Sequence, residues 1–131
     1  LSNTNRIRLY VLYHQANDNR VLDHSLGIQK GLIGIVHAFA DTGQNAQNSI
    51  VMTHEIFHTV GPTDKYDQYN RPIYPDGYAD STQSPLYPQR HAEIMAGRIA
   101  VAEHNAKMPI SLKDVTVGKK TANEINWIHQ P

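Results

Sequence analysis

Apolar positions along the chain fall into a few dense blocks separated by polar ones. Residues 6–14 (RIRLYVLYH) are nearly uninterrupted in Val, Leu, Ile and Tyr after Arg8. That pattern predicts a strand buried on both faces, as in a parallel sheet. Asn17, Asp18 and Asn19 make a polar turn. Residues 21–29 (VLDHSLGIQ) predict a weaker strand at a sheet edge, and residues 32–40 (LIGIVHAFA) a central strand bounded by turn signals. Residues 41–48 (DTGQNAQN) have loop chemistry, and Asn48 or Ser49 suits the N-cap of a helix. On that helix Ile50, His54 and Phe57 or His58 share one stripe, with Val51 and Glu55 beside it. Gly61 and Pro62 stop it, the glycine as a left-handed cap and the proline because it cannot continue the ladder.

Residues 62–90 lose this periodicity. They hold Pro62, Pro72, Pro75, Pro85 and Pro88 among Tyr66, Tyr69, Tyr74, Tyr78 and Tyr87. So many tyrosines predict a long ordered loop with buried rings, because disordered segments are poor in aromatics. Thr121 and Glu124 have capping-box spacing, which predicts a last helix over residues 122–129 anchored in the core by Trp127. No internal repeat and no domain boundary is visible. The pattern as a whole is α/β, a mixed sheet packed on one helix, in a single domain over residues 1–131.

Composition narrows the function classes. The chain has 131 residues, 40% of them apolar, which suits one soluble globular core. Twelve basic side chains balance twelve acidic ones, so no basic excess points to nucleic acid or an anionic membrane. The absence of cysteine excludes disulfides, zinc ribbons and thiol nucleophiles. No apolar run approaches the ~20 residues that span a bilayer, and no signal-peptide pattern is present. The first residue is Leu1 rather than Met, which suggests a processed form or a piece of a longer chain.

The candidate chemistry lies in HEIFHTVGPTD, residues 54–64. Helical residues four apart sit one above the other, so His54 and His58 can point imidazole nitrogens at one ion. A helix does not offer a third ligand at the right angle. Gly61 reverses the chain and Asp64 lies far enough along to return a carboxylate. Two histidines, one carboxylate and one open position make a catalytic zinc set, whereas structural zinc sites usually close all four positions. Glu55 is turned about 100° from His54, off the ligand stripe but within reach of water in the open position, as a general base. The bland alternative is a pair of solvated histidines on an exposed face. The apolar helix, Gly61 and Asp64 favour the ion.

The segment resembles the His-Glu-x-x-His-x-x-Gly-x-x-His/Asp signature of the metzincin metallopeptidases. Its aspartate form, followed by x-Tyr-Asp, is similar to the snapalysin and immune-inhibitor-A groups. The resemblance implies that His54, His58 and Asp64 ligate zinc, that Glu55 is the base and that Gly61 is the turn glycine. It further implies that Met95, in AEIMAGR, forms a Met-turn beneath the metal in an irregular C-terminal part. The substrate would be a peptide or protein, and the family habit is secretion. The match runs over residues 54–95. Two departures stand out: Gly97 occupies a position where several metzincins place an oxyanion-stabilising tyrosine, and a strand and helix that the family places earlier are missing. Asp64 in place of a third imidazole should acidify the bound water less, so Asp64→His should shift the acidic limb of a pH–rate profile downward.

Other polar residues have plainer readings. Asp67, Asp76 and Asp80 could hold Ca2+, but turn chemistry suffices for them, and Asp67 could instead orient a ligand. His14, His24, His37, His91, His104 and His129 are scattered, and His37 suits a hydrogen-bonded core histidine better than a ligand. No Ser-His-Asp order is legible, and GLIG is too short to cradle a phosphate. The edge strand over residues 21–29 could pair with an extended substrate. Two further functions share the motif: another zinc hydrolase of amides or esters, and a binding domain that keeps zinc for stability alone.

Overall fold

The computed structural model describes residues 6–16, 21–22, 25–28 and 32–128. The chain is a small mixed α/β protein and divides into two compact units, Leu1–Gly61 and Pro62–Pro131. No helix among the described residues is long and apolar enough to cross a membrane.

The first unit holds strands β1 (Arg8–His14), β2 (Leu26–Ile28) and β3 (Ile33–Phe39), and helix α1 (Asn45–Thr59). The sheet order is β1-β3-β2, with β1 parallel and β2 antiparallel to β3. The central place of β3 and the edge place of β2 agree with the apolar pattern, although β2 is shorter than residues 21–29. Asn17, Asp18, Asn19, His24 and Gln29 lie outside the described residues.

Strand β1 departs from expectation. None of its residues is fully buried, and Tyr10, Leu12 and Tyr13 are exposed. It lies at the margin of the sheet, and α1 packs chiefly against β3 and β2, so β1 lacks the covering layers that a doubly buried strand needs. Strand β3 alternates instead of being buried throughout. Gly34, Val36 and Ala38 are buried while the residues between them are half-buried.

The helix begins earlier than Asn48. Asp41 accepts a hydrogen bond from the Gly43 amide at 2.7 Å and starts a 3-10 turn, Thr42–Gln44, that runs into α1. Asn48 is buried, and its side chain serves the end of β3. It accepts from the Phe39 amide at 3.1 Å and donates to the Phe39 carbonyl at 2.8 Å. The helix stops where expected. The Gly61 amide reaches the His58 carbonyl, and Gly61 has φ 129°, which favours glycine.

The second unit contains short pairs: β4 (Ala92–Glu93) with β7 (Val115–Thr116), parallel, and β5 (Ile99–Ala102) with β6 (Asn105–Lys107), antiparallel. Its core includes Ala92, Ile94, Met95, Ala96, Ile99 and Ala100, one nearly continuous buried stretch. Residues 62–90 form an irregular segment held by turns, as expected, but only one of its tyrosines, Tyr78, is buried. Tyr69 and Tyr74 are exposed.

The last helix also differs. Helix α2 is Lys119–Glu124, with Gly118 at its N-cap. Thr121 is buried inside it instead of capping it, and Trp127 is 67% exposed rather than a core anchor. Asn126, with φ 59°, bends the chain away just after the helix, which leaves the indole outside. A capping box exists elsewhere, at Ser111 and Asp114. His129 lies outside the described residues.

Candidate metal centre

Helix α1 carries the only cluster of three or more potential metal ligands among the described residues: His54, Glu55 and His58. Their ligand atoms lie within 4.8 Å of one another. The two imidazoles meet edge to face, with centroids 4.6 Å apart and planes at 85°. Both histidines are half-buried, and Glu55 is 5% exposed. Asp64 is not in this group. Ligands bonded to one zinc ion at ~2.0–2.1 Å sit roughly 3.4 Å apart, a spacing that two imidazoles four residues apart on one helix can reach. Imidazole and carboxylate donors also suit zinc in kind. The residues present therefore fit the ion.

The sheet explains why Glu55 is drawn in. Gly27 of β2 pairs with Gly34 of β3, and Leu9 of β1 lies beyond Gly34 in the same row. A Cβ on Gly27 would lie 2.4 Å from the His58 Cβ and 2.8 Å from the Glu55 carbonyl oxygen. On Gly34 it would meet Leu9 Cδ1 at 2.7 Å, while the Glu55 Cβ stays at an ordinary contact distance of 3.8 Å. Gly27 thus lets α1 approach the sheet closely, with the Glu55 side chain packed beside it. Sequence reasoning missed both positions; the signal available was a lone glycine inside each apolar strand.

Asp64 opens the second unit and is solvent-exposed. Its neighbour Lys65 is buried. The Lys65 amide donates to the Met95 carbonyl at 2.9 Å, and its Nζ donates to Glu124 Oε2 at 2.7 Å and to the Thr63 carbonyl at 2.9 Å. Met95 is fully buried at a tight turn. Glu93, also fully buried, organises that turn: Oε2 accepts from the amides of Met95 at 2.6 Å and Ala96 at 3.2 Å, and Oε1 accepts from the Gly118 amide at 3.1 Å. Gly97 closes the turn with φ 72°, a conformation that a tyrosine would adopt only under strain. Neither Lys65 nor Glu93 was singled out from the sequence, because an isolated charge gives no sign of burial.

The remaining candidates take the plainer roles. Asp67 accepts from the Tyr69 and Arg71 amides and pairs with the Arg71 guanidinium at 2.9 Å. The Arg71 amide, with help from Tyr69, holds its carboxyl below the usual value. Asp80 accepts from the Thr82 hydroxyl and amide, which lower its pKa in the same way. Asp76 is exposed. His37 is hydrogen-bonded, as expected, and its partner is His14, with ring nitrogens 3.0 Å apart. His91 and His104 are exposed. Tyr78 shares a 2.6 Å hydrogen bond with the Tyr87 hydroxyl. Burial, and then that bond, push the Tyr78 phenol well above its ordinary pKa.

No protein-family model matches the chain, and no curated protein or solved structure matches it.

Proposed function

We propose that the chain is a zinc-dependent metallopeptidase of metzincin type that hydrolyses peptide bonds. The observation that supports this most is the His54–Glu55–His58 cluster, two imidazoles and a buried carboxylate within 4.8 Å on one helix. His54 and His58 supply two ligands. Asp64 supplies the third, an assignment that rests on its spacing after the Gly61 bend. When bound, zinc provides a Lewis acid that brings the pKa of a ligated water toward about 7 and polarises a carbonyl. Glu55 takes the proton from the attacking water and passes it to the departing amine, so its carboxylate ends each cycle as it began. That carboxylate is almost fully buried, packed beside Gly27, and its removal from bulk solvent strengthens its interactions with a cation. The same residues would serve an amide or ester hydrolase, and substrate choice lies in the cleft walls.

The experiment is Glu55→Ala. The variant should retain about one zinc per chain while zinc-dependent peptide cleavage falls roughly 10²–10⁴-fold. A wild type that cleaves nothing in a broad peptide library with zinc bound would remove the peptidase reading.

The proximity of Glu55 to both rings favours one second reading, in which its carboxylate is itself a ligand and the ion only stabilises a binding domain. In that case Glu55→Ala loses zinc and melts at a lower temperature.

A further inference from the structure

A cavity of about 480 Å3 lies wholly within the second unit, with Asp80, Gln83, Ser84, Arg90, His91 and Thr116 on its wall. That volume falls in the range of small-ligand sites. The polar groups of the wall divide into two sets. One set is engaged by the chain itself. Gln89, buried at the cavity floor, accepts from the Asp80 amide and donates to the Asp80 and Leu86 carbonyls. The Gln83 side-chain amide donates to the carbonyls of Pro85, Leu86 and Pro88. Asp80 Oδ1 accepts from the Thr82 amide and hydroxyl. The Gln89 amide donates to the Ala100 carbonyl at 2.8 Å, which ties this loop to β5. These bonds make residues 80–90 a fixed cradle rather than a loose loop.

The other set is uncommitted. The Arg90 guanidinium, the His91 ring and the hydroxyls of Ser84 and Thr116 make no hydrogen bond or ion pair with any described residue. All four are donors, so the wall sets four free donor groups against one partly engaged carboxylate. Charge then decides the class of ligand. Asp80 has its carboxyl held below the usual value, first by the Thr82 hydroxyl and amide and further by Arg90, so it is ionised at neutral pH. A doubly charged anion would be repelled by it. A singly charged carboxylate meets less repulsion, and its plane matches the guanidinium fork bidentately.

We propose that this cavity binds a singly charged carboxylate, that of a peptide C-terminus or of an acidic side chain, with Arg90 as its chief partner and Ser84, His91 and Thr116 as further donors. The site belongs to the second unit alone and is independent of the metal reading.

The test titrates the full chain, labelled with 15N, and follows the amide signals of Ser84, His91 and Thr116 by NMR. The probes are N-acetylglycine for a C-terminus, N-acetylglutamate α-amide for an acidic side chain, the neutral N-acetylglycinamide, and inorganic phosphate. At least one carboxylate probe should shift these signals to saturation with a Kd below about 10 mM, and the tighter of the two names the source. The neutral probe should not bind, and phosphate should bind more weakly. Arg90→Gln should weaken the carboxylate at least tenfold, whereas Lys113→Gln, exposed and outside the cavity, should bind as wild type does. The double variant Ser84→Ala/His91→Gln should weaken it about threefold or more, and it decides the matter if Arg90→Gln does not fold by circular dichroism. No saturable shift, equal binding of the neutral probe, tighter binding of phosphate, or a folded Arg90→Gln that matches wild type within twofold would each overturn the proposal.

Discussion

Among the described residues, the first unit satisfies its backbone through strand ladders and one 15-residue helix, whereas the second relies heavily on side chains to do so. In the second unit Glu93 caps three amides. Buried Gln89 accepts from the Asp80 amide and donates to the carbonyls of Asp80 and Leu86, each at 2.8 Å. Gln83 donates to the carbonyls of Pro85, Leu86 and Pro88. Proline explains much of the contrast. It removes amide donors and interrupts ladders, so the carbonyls left behind need other partners. The lesson is that a unit short of regular structure concentrates its order in a few polar side chains. Single substitutions should therefore hit it harder than they hit the first unit, except at the His54–Glu55–His58 cluster and at Gly27.

The largest expected effect lies in the first unit and concerns function rather than folding. His58→Ala should take bound zinc from about one per chain to none by elemental analysis, while far-UV circular dichroism stays unchanged. Zinc retained at the wild-type level would show that the ring is not a ligand. Next comes the second unit. Glu93→Ala orphans buried amides and should cost about 3–5 kcal/mol in urea unfolding, with Glu93→Gln milder because one oxygen still accepts. A loss below 1 kcal/mol would mean that the turn around Met95 stands without the carboxylate.

Gly27→Ala probes close approach in the first unit. The added methyl meets the His58 Cβ and the Glu55 carbonyl and should cost about 1–3 kcal/mol, with zinc binding weakened as α1 is pushed outward. Gly97→Ala is the matched control in the second unit. It faces open space but has φ 72°, so only the backbone penalty of about 1–2 kcal/mol applies.

The smallest effect is electrostatic. Asp67 has its pKa held below the ordinary 3.8. Its folded-state bonds therefore contribute above that value and are lost as the pH falls through the lowered one. The stability difference between wild type and Asp67→Asn should be constant near neutrality and shrink below about pH 4. A difference that grows on acidification would reverse the sign and contradict the assignment.

The same contrast accounts for what could be read from the residues alone. The presence of β1, β2 and β3, the edge place of β2, the central place of β3 and the stop at Gly61 follow from apolar blocks and turn residues, which are local signals. The His54, Glu55 and His58 cluster was legible because helical spacing fixes it. The depth of Glu55 was not, since it depends on Gly27, a residue of a separate strand. The exposure of β1 depends on where α1 packs on the sheet, and no pattern within residues 6–14 records that. Thr121 and Glu124 matched a capping box in spacing, but the helix had already started at Lys119 behind the Glu93–Gly118 bond. The burial of Lys65 and Glu93 has no periodic trace, because one charged residue in an apolar stretch looks the same whether it is clamped or solvated.

The account is most directly tested by anomalous diffraction at the zinc edge from crystals grown with excess zinc. It predicts one strong peak bonded at about 2.0–2.1 Å to nitrogens of His54 and His58 and to a carboxylate oxygen of Asp64, with Glu55 outside bonding distance. A peak ligated by Glu55 while Asp64 points elsewhere, or no peak between the two rings, would contradict it.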